Sequence, residues 1–450
     1  MNMSASNYKL KMAFIIFREK GPLFFLKTVL KYITIPYFII GSVLDLVNKH
    51  IKTDQKLVLL GSNRGYEGNS RYLYEHLVEH GKMNAVWVAH SNETVERLKG
   101  KGYPVIKAKS VRGIQTLMKA SLVVINHDFT DVAVHPSFIP NSITSVFISH
   151  GARLPRKRHL PDEPEDNPDL DHDYYVCYSD LHRKFSIWLD GRTGKTSLEK
   201  VPDSIKESFQ VTGSPKTDLL MEPTKEMEQN WDSFIGNQKP DNVILYAPVK
   251  GNLDQLEDLN QPIKQFFPFS DFSIGQLHEY LSERNTLLLI RPHPANIRQI
   301  DEYGCGPFKL LEDHLTDLCR GSEWARLATH REMSTIELLP FLDVLITDWS
   351  TIYFEYLPLD RPIIFLDEDC YSELERPTFK FDFESFKPGP SVSSQKQLLE
   401  KLDDALIEDD GYRDDRKRVR EKFYAYGDSK ATERVTALLE SILYESEGSA

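Results

Sequence analysis

Short apolar runs, each closed by a turn of small or polar residues and followed by a stretch with helical spacing, recur in two successive series along this chain. The first series occupies residues 57–60, 85–89, 105–107, 122–126, 145–148, 174–178 and 209–212, with helical spacing over 70–80, 93–99 and 114–120. The second occupies 243–246, 286–290, 344–347 and 362–366, with helical spacing over 275–283 and 332–341. Runs that are apolar throughout are strands buried on both faces, and such strands belong to parallel sheets whose crossovers are helices. A chain of 450 residues has room for two domains of this kind. The expected architecture is α/β, with two Rossmann-like domains facing a cleft. They are placed at 53–225 and 240–392, with a polar passage around 221–240 and closing amphipathic helices, 395–408 and 414–444, within 393–450. In open sheets of this type ligands bind beyond the carboxyl ends of the strands, so the strand-end turns are where chemistry is expected.

Ahead of the first series lies a segment of different character. Residues 1–52 carry eight Lys or Arg against Glu19 and Asp45, a balance of +6. With −12 overall, the remainder carries −18. So acidic a body argues against general nucleic-acid binding, which depends on neutralising phosphates. Within the leader the longest charge-free piece, residues 32–44, contains Pro36 and is 13 residues long, short of the roughly 20 that span a bilayer. No convincing cleavage site for a signal peptide follows it. Aromatic and aliphatic residues interleaved with Lys and Arg suit a helical segment lying on an anionic membrane, and the alternative is a helical extension packed on the body. Cys177, Cys305, Cys319 and Cys370 have no CxxC spacing, which speaks against a zinc knuckle or disulfide framework and for a reducing, cytosolic setting.

Several strand-end turns carry candidate chemistry. The run 344–347 ends in Asp348-Trp349-Ser350-Thr351, and Ile352, Glu355 and Tyr356 then fall at helical spacing. A strand end meeting a helix start suits a phosphate, with the Ser350 and Thr351 hydroxyls as extra donors; a plain helix cap is the simpler explanation. Gly213-Ser214-Pro215-Lys216-Thr217-Asp218 makes a comparable turn. Ser149-His150-Gly151 and Arg291-Pro292-His293-Pro294 close two further strands, the second also explicable as a turn in which proline ends a ladder. The 61–68 loop is not a GxGxxG fingerprint and reads as a strand-to-helix turn with at most a role in acceptor binding. Arg153, Arg156, Lys157, Arg158 and His159 form a basic loop after His150, either solvated or in contact with an anionic substrate, and an acidic run, 162–173, follows it.

Taken in order, these turns resemble one family. The elements are Ser149-His150-Gly151, Gly213 to Asp218, Tyr246-Ala247-Pro248, Arg291-Pro292-His293-Pro294 and Ile346 to Thr351. Phe381-Asp382-Phe383, Pro388-Gly389-Pro390 and the stretch from Tyr426 to Arg434 follow. The set is similar to the CDP-glycerol:poly(glycerophosphate) glycerophosphotransferases, which build wall teichoic acid and related capsule polymers, over roughly residues 55–440. The resemblance implies a GT-B fold and a peripheral protein at the cytoplasmic face of the cell membrane. Two departures fall in the implied cleft. His150-Gly151-Ala152 stands where the family has His-Gly-Thr, and Val249 and Lys250 stand where it has an aromatic residue and Arg, so the polyol or the acceptor need not be the usual one. The full polymerases tend to carry more sequence upstream, so the compact members, including priming enzymes, are matched at least as well.

The resemblance implies transfer of a polyol phosphate from CDP-glycerol or a related CDP-polyol to a hydroxyl of a lipid-linked polymer or disaccharide, with CMP leaving. On that reading His150 is the general base and His293 contacts the donor diphosphate or leaving group. Ser350, Thr351, Arg291, Gly213, Ser214, Lys216 and Lys250 hold the donor, with Glu355 near the ribose, and Arg153, Arg156 and Lys157 meet the acceptor. No metal and no other cofactor is expected, because no Asp, Glu or His cluster has ligand spacing. His127, His135, His172, His182 and His330 receive no role. The alternatives are a GT-B glycosyltransferase or epimerase using a nucleotide sugar, since fold does not decide function, and a catalytically inactive scaffold of polymer assembly.

Overall fold

The double strand rhythm folds into two parallel sheets of the same topology. The computed structural model describes residues 35–51, 53–81, 83–151, 156–157, 172–189, 198–249, 267–293, 297, 300, 313, 315–329, 332–367, 378–379, 381–407 and 410–448. The chain divides into two compact units, one formed by 34–222 with 421–450 and the other containing 223–420.

In the first unit the strands are β1 (Asp54–Gly61), β2 (Asn84–Ala89), β3 (Val105–Lys107), β4 (Ala120–Ile125), β5 (Thr144–Phe147), β6 (Tyr174–Cys177) and β7 (Phe209–Val211). Their order across the sheet is β3-β2-β1-β4-β5-β6-β7, all parallel. Successive side chains alternate between two cores. Val58, Leu60, Leu122 and Val124 enter one, and Leu57, Leu59, Val123 and Ile125 the other. That two-sided burial is why the strands read as unbroken apolar runs.

The second unit holds β8 (Asn242–Tyr246), β9 (Thr286–Ile290), β10 (Ala325–Leu327), β11 (Val344–Thr347), β12 (Ile363–Leu366) and β13 (Ser391–Val392). Their order is β10-β9-β8-β11-β12-β13, again parallel. Each sheet therefore reverses its winding between its first and fourth strands, β1/β4 in one and β8/β11 in the other. A doubly wound sheet opens its ligand crevice at such a reversal.

Three details differ from the expectations. The closing segment 393–450 is divided between the units. The helix Gln395–Ala405 packs Leu398, Leu402 and Ala405 on the second sheet, while the helix Ala431–Gly448 sends Val435, Leu439, Ile442 and Leu443 into the core of the first. The stretch expected as one helix over 414–444 is two, Arg413–Phe423 and Ala431–Gly448. Asp218 starts the second by accepting from the backbone N–H groups of Ala431 and Thr432 at 3.0 and 2.8 Å. Burial pushes the Asp218 carboxyl above its ordinary range in spite of these bonds. The helix expected over 332–341 is only Thr335–Leu338 plus a 3₁₀ turn, Leu339–Phe341, opened by a capping box of Ser334 and Glu337 and broken where Pro340 follows.

Of the leader, residues 35–51 are described, and the rest of 1–52, apart from these, lies outside the described residues. The helix Ile35–Asn48 docks on the first unit by one side. Tyr37 stacks on His135 at 5.2 Å, Asn48 Nδ2 donates to the Met118 carbonyl at 2.8 Å, and the Asn141 N–H donates to Asp45 at 3.1 Å. Among the described residues no helix is long and apolar enough to cross a membrane.

Candidate active site

The winding reversal of the first unit is held by one buried carboxylate. Asp131, fully buried, accepts backbone N–H groups from both sides of the reversal. These come from Asn63 after β1 at 2.9 Å, and from Asn126 and His127 after β4 at 2.8 and 2.6 Å. Its Oδ1 also meets Nδ1 of His127 at 3.2 Å. Strand ends leave unpaired donors, and a carboxylate that gathers them fixes several loops at once.

A second linker is Asn69, in the first turn of the helix Gly68–His80 and fully buried. Its Nδ2 donates to the Ser149 carbonyl at 2.7 Å and to that of Ile148 at 3.4 Å. Its Oδ1 accepts from Ser214 Oγ at 2.8 Å and from the Lys216 backbone N–H at 2.9 Å. One amide thus ties the loop after β5 to the loop after β7. Between those ties stands His150. Ser149 before it takes a left-handed backbone, φ 57°, which turns the chain sharply out of the strand. The buried Lys216 donates its Nζ to the His150 carbonyl at 2.6 Å. The His150 side chain is exposed, and its ring stacks on that of His127, centroids 4.9 Å apart and planes 22° from parallel.

The second unit repeats the device. Asp348, 1 % exposed at the end of β11, accepts the Val249 N–H beyond β8 through both carboxylate oxygens at 3.0 Å and the Ser350 N–H at 2.8 Å. Thr347 Oγ1 donates to the Ala247 carbonyl at 2.7 Å, closing the same two strand ends. Ser350 and Thr351 are half-buried, and among the described residues neither hydroxyl has a partner. The helix they precede, Ile352–Tyr356, is only five residues long before a 3₁₀ turn that contains Pro358, so its dipole is small. Glu355 is half-buried in it. His293 follows the end of β9 and is half-buried, its carbonyl accepting the Ile297 N–H at 3.4 Å.

The expected site residues fall into two groups. Ser350, Thr351, Glu355, Arg291 and His293 share the second unit. Gly213, Ser214 and Lys216, expected with the donor, stand in the first unit on the loop bonded to that of His150. Arg291 is buried and spends its guanidinium on Thr335 Oγ1 at 3.1 Å and on the carbonyls of Ala328 and Met333, each at 3.0 Å, which fixes the loop after β10. Lys250 and Arg153 lie outside the described residues. So do the side chains of Arg156 and Lys157, whose backbone forms a short strand. The sequence by itself does not single out Asn69, Asp131 or His127. Among the described residues no three His, Cys, Asp or Glu side chains are grouped to hold a metal ion.

A model of the CDP-glycerol:poly(glycerophosphate) glycerophosphotransferase family matches residues 44–441. The teichoic acid ribitol-phosphate polymerase TarK of Staphylococcus aureus is 25 % identical over 233 residues, covering 51 % of this chain and 40 % of the polymerase. The teichoic acid glycerol-phosphate transferase of the same species is 21 % identical over 378 residues, covering 82 % of this chain and 88 % of the transferase. This chain spans between 33 % and 40 % of the length of three ribitol-phosphate polymerases that it matches. In fold it is similar to the wall teichoic acid polymerase TagF, with a TM-score of 0.68 at 19 % identity, covering 94 % of this chain and 98 % of that one.

Proposed function

Because the chain belongs to the CDP-glycerol:poly(glycerophosphate) glycerophosphotransferase family, we propose that it transfers a polyol phosphate from a CDP-polyol to a hydroxyl of a teichoic-acid-like polymer or its lipid-linked primer. The observation that carries the reading is the family match across both units, with His150, His293, Ser350 and Thr351 all at carboxyl ends of strands. In the transfer, the acceptor oxygen forms a bond to the β-phosphorus and the bond from that phosphorus to the bridging oxygen breaks. CMP leaves with the electron pair. His150 takes the acceptor proton, a task suited to a group that titrates near neutrality. The Ser350 and Thr351 hydroxyls and His293 donate to the diphosphate, whose charge rises as CMP departs.

Other residues take supporting parts. Arg291 acts on the diphosphate through its field, its nitrogens being bonded to the loop behind, while Lys250 contacts it and Glu355 holds the ribose. Lys216, Ser214 and Gly213 act through His150 by shaping its loop. Arg153, Arg156 and Lys157 meet the anionic acceptor. The test is a thermal stabilisation series with CDP-glycerol, CDP-ribitol and UDP-sugars. One of the CDP-polyols should raise the midpoint and the UDP-sugars should not. Stabilisation by a UDP-sugar alone would replace this reading with a nucleotide-sugar transferase.

The same reading places the protein on the cytoplasmic face of a membrane. Along the helix Ile35–Asn48, Ile40, Val43, Leu46 and Val47 form an outward stripe, each between 43 % and 62 % exposed. Lys49, His50 and Lys52 follow, at the end of the +6 segment. An apolar stripe beside cationic residues binds anionic lipid through both terms. Changing Val43 and Leu46 together to Ser should weaken sedimentation with phosphatidylglycerol liposomes while leaving the midpoint of unfolding unchanged. Undiminished sedimentation would remove the stripe from the membrane.

A further inference from the structure

We propose that Arg434 is a positioning residue that holds the backbone of His150 in place through the loop after β7. This rests on the assignment of His150 as base. The stretch from Tyr426 to Arg434 is built around the Arg434 guanidinium. Its Nη1 and Nη2 donate to the two Asp428 carboxylate oxygens at 3.0 and 2.8 Å, and the Tyr426 ring lies 3.8 Å from its central carbon. The hydrogen-bonded guanidinium holds the Asp428 carboxyl below its ordinary range. Its Nε donates to the Thr212 carbonyl at 2.7 Å. A planar fork gripped along its edge by a carboxylate and covered on its face by an aromatic ring has little freedom left. The Thr212 carbonyl therefore meets its donor at a fixed place.

Thr212 and Asp218 bracket the loop that carries Lys216, and both are tied to the helix Ala431–Gly448. Asp218 grips the start of that helix, accepting from the Ala431 and Thr432 N–H groups and from Thr432 Oγ1 at 2.7 Å. Gly213 makes the close approach possible. Its φ is 87°, and a Cβ there would stand 2.9 Å from that of Ala431. The helix itself is fixed separately, by Val435, Leu439, Ile442 and Leu443 in the core of the first unit. A loop clamped on either side of Lys216 to a fixed helix sets where that side chain starts, and its Nζ meets the His150 carbonyl at 2.6 Å. A displacement at Thr212 is thus passed along residues 212–216 to His150. The Arg434 side chain is 24 % exposed, so water can reach the Thr212 carbonyl once the guanidinium is gone. A partly exposed ion pair also adds little to stability. Loss of Arg434 should therefore show in turnover before it shows in unfolding.

The test uses the full chain with Arg434→Ala, Arg434→Lys and Asp428→Asn. Arg434→Ala should lower kcat about 10-fold, leave KM for the CDP-polyol within about twofold, and move the unfolding midpoint little. Guanidinium chloride at low millimolar concentration should restore part of the lost kcat in Arg434→Ala and none in His150→Ala. A lysine ammonium cannot reach Thr212 and both Asp428 oxygens at once, so Arg434→Lys should fall between the wild type and Arg434→Ala, as should Asp428→Asn. Hydrogen exchange gives a readout that needs no activity. In Arg434→Ala the segments 213–217 and 149–151 should exchange faster, while 435–443 keeps the wild-type rate. An unchanged kcat would overturn the proposal. So would a loss that follows the unfolding midpoint and ignores guanidinium, or faster exchange confined to 426–434. If the wild type transfers nothing from either CDP-glycerol or CDP-ribitol, the functional reading fails by itself, and the exchange comparison still decides whether Arg434 holds the His150 loop.

Discussion

Replacing His150 with alanine should lower turnover about 10²–10⁴-fold, the contribution of a positioned general base, and leave CDP-polyol affinity near that of the wild type. The asymmetry follows from what each histidine is assigned to touch. The acceptor proton moves only in the transition state, so its base contributes to kcat and little to ground-state binding. The donor diphosphate is present throughout, so His293→Ala should weaken donor affinity and turnover together. The acidic limb of the pH–rate profile, set by loss of the neutral imidazole, should disappear in His150→Ala and remain in His293→Ala. Equilibrium binding and turnover measured on the two single variants check both parts. A His150→Ala protein with near-normal turnover, or one that has lost only donor binding, would leave the base elsewhere.

The second large effect is expected at a residue with no chemistry of its own. Asn69→Ala strands the Ser149 carbonyl, the Ser214 hydroxyl and the Lys216 N–H, all on buried residues. Each orphaned buried group costs about 1–3 kcal/mol, so the unfolding midpoint should fall clearly and turnover with it, as the His150 loop loosens. Asn69→Asp separates the two halves of the amide. A carboxylate still accepts from Ser214 and Lys216 but faces the Ser149 and Ile148 carbonyls with no proton to give. It should keep the loop after β7 in place and lose the one bearing His150, so turnover falls more than stability. Thermal unfolding and kcat on both variants test this. An Asn69→Ala protein with wild-type midpoint and turnover would show that the amide links nothing that matters.

What the sequence revealed and what it hid divide along a physical line. The strands were readable because parallel strands covered on both faces must be apolar at every position, as in 57–60 and 243–246. His150, His293, Ser350 and Thr351 were readable as residues closing such runs. Asn69 and Asp131 were not, since much of their meaning lies in partners far away along the chain. Asn69 meets Ser214 across 145 positions, and Asp131 meets Asn63 across 68. At Gly213, Ser214 and Lys216 the sequence leaves both roles open, because a Gly-Ser-Pro turn before a helix looks the same whether it cradles a phosphate or ties a neighbouring loop. Helix length is overestimated at 332–341, where periodicity runs on past Pro340 but hydrogen bonding does not.

Transfer of a polyol phosphate with His150 taking the proton has a direct signature in the products. The direct measurement is acceptor-dependent release of CMP from CDP-glycerol and CDP-ribitol by the wild type and by His150→Ala. CMP should appear from one of the two donors only when a lipid-linked acceptor is present, with polyol phosphate recovered on the acceptor in equal amount and a rate about 10²–10⁴-fold lower in the variant. No CMP from either donor, with UDP or UMP released from a nucleotide sugar in its place, would contradict it.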